Sequence, residues 1–188
     1  MILSKYQLNV NKIYLLKLSA PIFLANLAIP LVGIIDTFLM GHLEDQIYLV
    51  ATGISTSVIT MIFWTFGFLR MGTVGLVSQS LGRGDYQEIV STIIRNLFIA
   101  IVLSILIIGS LSFILQSINY FFQISGETLN LIDKYITIRI VSAPAELIIY
   151  VLTGLYLGLQ KTIISSSIII FFSLLNIILS IIFVTEFN

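Results

Sequence analysis

The chain has no cysteine and a single histidine among its 188 residues. The first excludes disulfides and thiolate-bound metal; the second excludes a histidine-rich metal centre. Charge is scarce too. Asp, Glu, Lys and Arg make up 10% of the chain, against about 25% in an ordinary soluble domain. Nine basic and nine acidic residues cancel, so no electrostatic surplus favours nucleic acid. No linker between soluble domains, low-complexity tract or internal repeat is visible.

What fills the chain is apolar: 58% hydrophobic residues and a mean hydropathy of +1.10. A bilayer tolerates that much apolar surface; water does not. Spanning helices need roughly 20 mostly apolar residues, and five stretches qualify: 13–40, 47–81, 89–115, 131–159 and 163–185. The polar connectors are 41–46, 82–88, 116–130 and 160–162. Lys5, Lys12 and Lys17 precede an apolar run from Leu18 to Met40 as they would in a signal peptide. That run is too long for a secretory core and no small-residue cleavage site closes it. It is read as a retained helix.

The second stretch holds 35 residues, 47–81, or roughly 50 Å of helix against a ~30 Å hydrocarbon core. It is either one long helix projecting past the membrane or a segment that breaks near Arg70, Gly72 and Gly75 and re-enters. Connector 116–130 carries Tyr120, Phe121 and Phe122 beside Ser125-Gly126, an aromatic composition suited to an interfacial anchor.

Orientation follows from basic residues, which favour the cytoplasm. With five crossings, Lys5, Lys12, Lys17, Arg83 and Lys161 fall on one side, with Arg95 just inside the third helix. The other side has Lys134 against Glu44, Asp45, Glu127, Asp133 and Glu186. The amino terminus is expected in the cytoplasm and Asn188 outside, in a multi-pass protein of the inner (plasma) membrane.

Charged groups within spans cost ~2.5–3.5 kcal/mol each on insertion scales and usually face a bundle interior or a wet cavity. The candidates are Asp36, Arg70, Arg139 and Glu146. In the fourth stretch Tyr135, Arg139, Ser142, Glu146 and Thr153 share a narrow helical stripe. Pro144 between them should bend the helix. Two readings stand: a polar face lining a cavity, or an Arg–Glu network that fixes packing. Gly154 and Gly158 give a small-xxx-small spacing for close helix contact. Ser166, Ser173, Asn176 and Ser180 form a weaker stripe on the fifth helix, with interhelical packing as its default role.

The first helix carries Pro21, Asn26, Pro30, Gly33 and Asp36. Such discontinuities often accompany ion or substrate sites in transporters. Asp36 has no basic neighbour at helical spacing. It can be protonated, bind a cation or pair with another helix, which makes it the leading candidate for coupling chemistry. His42, in a connector, is assigned no role. No Ser–His pair, paired aspartate or metal-ligand set lies in the spans, so neither an enzyme nor a metal site is expected.

Six strings together resemble the DinF-like branch of the multidrug and toxic compound extrusion (MATE) exporters. They are Ala20-Pro21 with Val32-Gly33-Ile34-Ile35-Asp36-Thr37; Phe63-Trp64-Thr65-Phe66-Gly67-Phe68-Leu69-Arg70-Met71-Gly72-Thr73; Leu81-Gly82-Arg83-Gly84-Asp85; Arg139-Ile140-Val141-Ser142-Ala143-Pro144-Ala145; Gly158-Leu159-Gln160-Lys161-Thr162; and Leu174-Leu175-Asn176-Ile177-Ile178-Leu179-Ser180. The resemblance covers nearly the whole chain. It implies an all-α membrane protein whose five helices form most of one six-helix lobe, within a twelve-helix antiporter of organic cations and toxic compounds. The coupling ion would be H+ or Na+, with no other cofactor. The stretch from Ile47 would be one long helix. Pro21 would let the first helix bend, and Asp36, Tyr135 and Asn176 would belong to a cation or proton site. Arg70 would be structural.

Two departures are evident. Where the family usually has an aspartate four residues after the helix-five asparagine, this chain has Ser180, one titratable group fewer in that site. The chain also stops before a sixth helix and a second lobe. A truncated lobe, inactive alone, is the leading expectation. The other options are a separate chain supplying the missing helices or an assembly of copies. Two further functions were weighed: a non-transporting membrane module or remnant, and a lipid-linked precursor flippase. The flippase would need a strongly cationic cavity, for which the spans offer only Arg70, Arg95 and Arg139.

Overall fold

In the computed structural model, residues 12–42 and 46–186 are described, with side chains from Leu16 onward except at positions 29 and 186. Lys5, Glu44, Asp45 and Asn188, which entered the orientation argument, lie outside the described residues, as do the side chains of Lys12 and Glu186. All regular structure among the described residues is helical: α1 (Lys12–Gly41), α2 (Gln46–Thr65), α3 (Phe68–Arg83), α4 (Tyr86–Gly109), α5 (Leu111–Phe122), α6 (Glu127–Ile140), α7 (Ala143–Gly158) and α8 (Thr162–Glu186). Four spans are long and apolar enough to cross a membrane: Leu16–Gly41, Gln46–Arg83, Tyr86–Gly109 and Thr162–Thr185. α6 and α7 together make a fifth, bent by 48°.

The second span combines α2 and α3 into one 38-residue path that does not turn back. It is nevertheless interrupted at Phe66-Gly67, where the resemblance implied a continuous helix. There the backbone tightens to three-residue bonds: Phe66 N–H donates to Phe63 O at 2.9 Å, Gly67 N–H to Trp64 O at 3.0 Å and Leu69 N–H to Phe66 O at 3.0 Å. The third span ends at Gly109, six residues short of the expected 115. Ser110 turns the chain, its Oγ donating to Ile107 O at 2.7 Å. Residues 111–122, expected to be partly span and partly connector, form the separate helix α5. Leu111, Ile114, Leu115 and Ile118 of α5 pack on the core, while Phe113, Tyr120 and Phe121 stay exposed.

Between the second and third spans the Leu-Gly-Arg-Gly-Asp string explains itself. Gly84 ends α3 in the left-handed conformation (φ 72°), its N–H bonded to Leu81 O and Ser80 O; glycine adopts this without a Cβ penalty. Asp85 then caps α4 by accepting from Glu88 N–H at 2.9 Å, satisfying one orphan donor of the first turn.

Packing divides the bundle. α2 presents Ala51, Ser55, Ile59 and Phe63 as a buried stripe and packs on α6, which buries Ile132, Ile136 and Ile140. α3 packs on α7 and α4. The α3–α7 crossing is close because of the two glycines. A Cβ on Gly154 would sit 2.7 Å from Arg70 O and 2.9 Å from Thr73 Cβ; one on Gly158 would sit 2.8 Å from Val77 Cβ. The small-xxx-small spacing thus brings backbones together. α1 and α8 pack mainly on each other and expose Phe23, Leu31, Phe38, Phe171, Leu174 and Phe183.

Candidate functional site

The break between α6 and α7 has a local cause. Pro144 stands in the first turn of α7, where it lacks an N–H and its ring excludes the carbonyl four residues back. That carbonyl belongs to Ile140, the last residue of α6. Two residues of turn, Val141-Ser142, follow. The bend turns the polar stripe of the fourth span into a compact cluster instead of a straight row.

Arg139 occupies its centre. One guanidinium N–H donates to Ser142 Oγ, while the Ser142 hydroxyl donates back to Arg139 O at 2.7 Å. A second guanidinium nitrogen lies 3.7 Å from a Glu146 carboxylate oxygen, with both side chains about one-third exposed (38% and 31%). The guanidinium carbon stands 5.5 Å from the centre of the Phe63 ring on α2, within cation–π range. Arg139 thus joins the end of α6 to the start of α7 and to α2.

The cluster continues on both sides. Tyr135, one turn earlier on α6, lies within Coulombic range of Arg139 and of Asp36 on α1. Tyr150 on α7 lies within range of Glu146, Arg70 and Arg139. Asp36 and Glu146 supply two anions, and Arg70 and Arg139 two cations. This balance lowers the cost of holding charges inside a span. Asp36 is half-buried and has no salt bridge among the described residues.

The structure therefore gathers Asp36, Tyr135, Arg139, Ser142, Glu146 and Arg70, drawn from the first, second and fourth spans. It does not bring the α8 residues to them by hydrogen bonds: Asn176 is exposed and Ser180 half-buried, and among the described residues no hydrogen bond joins either to Asp36. Thr153, on the expected stripe, is buried with its hydroxyl bonded to Ile149 O at 2.7 Å. Its carbonyl accepts from Ser165 Oγ at 3.2 Å, tying α8 to α7. α1 runs unbroken through Pro21 and Pro30. Three participants escaped the sequence reading: Phe63, Tyr150, and the pair Asn96–Thr73, in which Asn96 Nδ2 donates to Thr73 Oγ1 at 2.8 Å across α4 and α3. An asparagine inside an apolar stretch was the available signal for the last.

Comparison with known proteins decides the family. The MatE family model matches residues 21–182. The chain belongs to the MATE family. It is 30% identical over 164 residues to DNA damage-inducible protein F of Escherichia coli K12, covering 87% of this chain and 36% of that protein. It is 22% identical over 170 residues to the multidrug export protein MepA of Staphylococcus saprophyticus, covering 90% of this chain and 38% of that one. The chain therefore spans little more than a third of the length of these relatives. Among solved structures, a MOP superfamily transporter from Pyrococcus furiosus superposes with a TM-score of 0.85 at 21% identity, covering 92% of this chain and 38% of that one. An outward-facing multidrug resistance MATE transporter of the MOP superfamily gives 0.84 at the same identity and coverages. These two likenesses establish the fold: an all-α membrane protein whose spans follow the MATE arrangement. The first relative accords with the DinF-like strings of the sequence.

Proposed function

We propose that the chain forms most of one lobe of a cation-coupled exporter that moves organic cations or other toxic compounds against an inward flow of H+ or Na+. The observation that carries this reading is Asp36, a half-buried carboxylate within the first span that has no salt bridge among the described residues and lies within Coulombic range of Tyr135 on α6. A charged group inside a span is costly and marks an ion pathway by default, so a cation arriving at Asp36 would offset that cost. That offset is what couples ion flow to a conformational change. Asn176 and Ser180 on α8 are assigned to the same site, with Ser180 contributing a hydroxyl ligand and no charge. Pro21, which lacks a backbone N–H inside the unbroken α1, is assigned as the position at which that helix bends during transport. Membership of the MATE family and the likeness to MepA, a multidrug export protein, support the transport class. In this reading the amino terminus is cytoplasmic and the membrane is the inner one.

The test is reconstitution in vesicles together with the complementary helices of a MATE transporter, using ethidium as the organic cation. An imposed proton or sodium gradient should drive ethidium across the membrane, and Asp36→Asn should stop it. Failure of both gradients to move ethidium defeats the reading, and gradient-driven movement that survives Asp36→Asn removes Asp36 from it.

A further inference from the structure

Two interruptions in adjacent spans lie one turn beyond residues that touch. Phe63 on α2 is followed by the Phe66-Gly67 turn, and Arg139 on α6 by the Val141-Ser142 turn. Their side chains meet at 5.5 Å. On one side of this level α2 packs with α6; on the other, α3 packs with α7. The α3–α7 pair is locked at backbone distance by Gly154 and Gly158. The α2–α6 pair is held by side chains, and Ser55 Oγ on α2 and Asp133 Oδ1 on α6 are buried there without hydrogen-bond partners. A locked pair and a less satisfied pair thus meet at a bend of 48°.

We infer that this level is a joint on which α2 and α6 tilt together against α3 and α7, and that Arg139 is the positioning residue that sets its angle by reaching across the break to Ser142 and Glu146. The 3.7 Å separation from Glu146 is a loose ion pair that can tighten or part. The charged and titratable groups that act on or beside Arg139 are Tyr135 on α6 and Glu146 and Tyr150 on α7.

The chain has no cysteine, so spin labels can be placed cleanly on the full chain in vesicles. Lys134→Cys on α6 with Gln79→Cys on α3, both exposed positions, measures across the joint. Gln79→Cys with Leu106→Cys on α4 measures beside it. A change of about 10° swings Lys134, half-way along the 14-residue α6, by roughly 2 Å at the helical rise per residue. Glu146→Gln and Arg139→Gln should each shift or broaden the Lys134–Gln79 distance by that order and leave the Gln79–Leu106 distance unchanged. Exchanging the charges, Arg139→Glu with Glu146→Arg, should restore the original distribution because the ion pair across the break re-forms. Unchanged distances in both Glu146→Gln and Arg139→Gln overturn the joint. If the distances respond as expected but neither gradient drives transport, the exporter reading falls and the joint stands.

Discussion

α6 and α7 are two halves of one span, yet they are held by opposite means. α6 fills its interface with volume: Ile132, Ile136 and Ile140 are buried to within 1% against the α2 stripe. α7 removes volume at Gly154 and Gly158 so that the backbone of α3 can approach. Without a hydrophobic drive between helices in lipid, association depends on van der Waals fit and hydrogen bonds. The two halves reach that fit by filling and by emptying. The lesson is that they should fail differently: the glycine half on addition of atoms, the isoleucine half on their removal.

The largest effect is expected where addition meets backbone. Gly154→Leu has no room beside Arg70 O and Thr73 Cβ, and should abolish the monodisperse folded peak in detergent size-exclusion chromatography. The smaller Gly154→Ala should cost about 1–3 kcal/mol, read as a lowered thermal unfolding midpoint. Gly33→Ala, with nothing within 4 Å of its Cβ, should cost nothing in the same assay. If Gly154→Ala and Gly33→Ala respond alike, close approach of α3 at Gly154 is not what holds the α7 half. Next is deletion in the other half: Ile136→Ala should cost about 2–5 kcal/mol, while enlarging Ile136 to Phe should matter less than enlarging Gly154. Smaller still is the polar tie between α3 and α4. Asn96→Leu should cost about 0.6 kcal/mol, the average for interhelical hydrogen bonds in membranes, because Thr73 keeps its bond to Leu69 O at 2.6 Å. Of the same order is Phe63→Leu, which removes the ring facing Arg139 and should cost about 0.5–1 kcal/mol from the cation–π contact alone. It should also broaden the Lys134–Gln79 distance without altering the Gly154 contact.

Much of this architecture is written in the sequence, for reasons that differ by residue. Apolar length alone marks the spans, because a bilayer demands it. Gly154 and Gly158 announce their crossing through spacing, and Pro144 announces the bend because its missing N–H acts locally. The interruption at Phe66-Gly67 is less legible. Gly is frequent inside spanning helices as well as at helix ends, and the tightening of the backbone there depends on how α2 and α3 pack. The end of the third span at Gly109 is hidden for a similar reason: the apolar run continues into α5 and only direction changes. Within the polar cluster, helical periodicity placed Arg139 and Glu146 on one face. It could not supply Phe63 or Tyr150, whose roles arise from which helices become neighbours. The position of Asn176 is the converse. A stripe of polar residues on one helix does not say which neighbour it faces.

The turn at Gly84-Asp85 leaves no slack between the second and third spans. Capped on both sides by its own backbone and by Asp85, and cross-tied by Asn96 to Thr73, this pair closes from neighbours in the chain. All of these ties lie between Gln46 and Gly109, so the hairpin closes on its own contacts and presents α3 and α4 as one surface on which α7 of the bent fourth span packs.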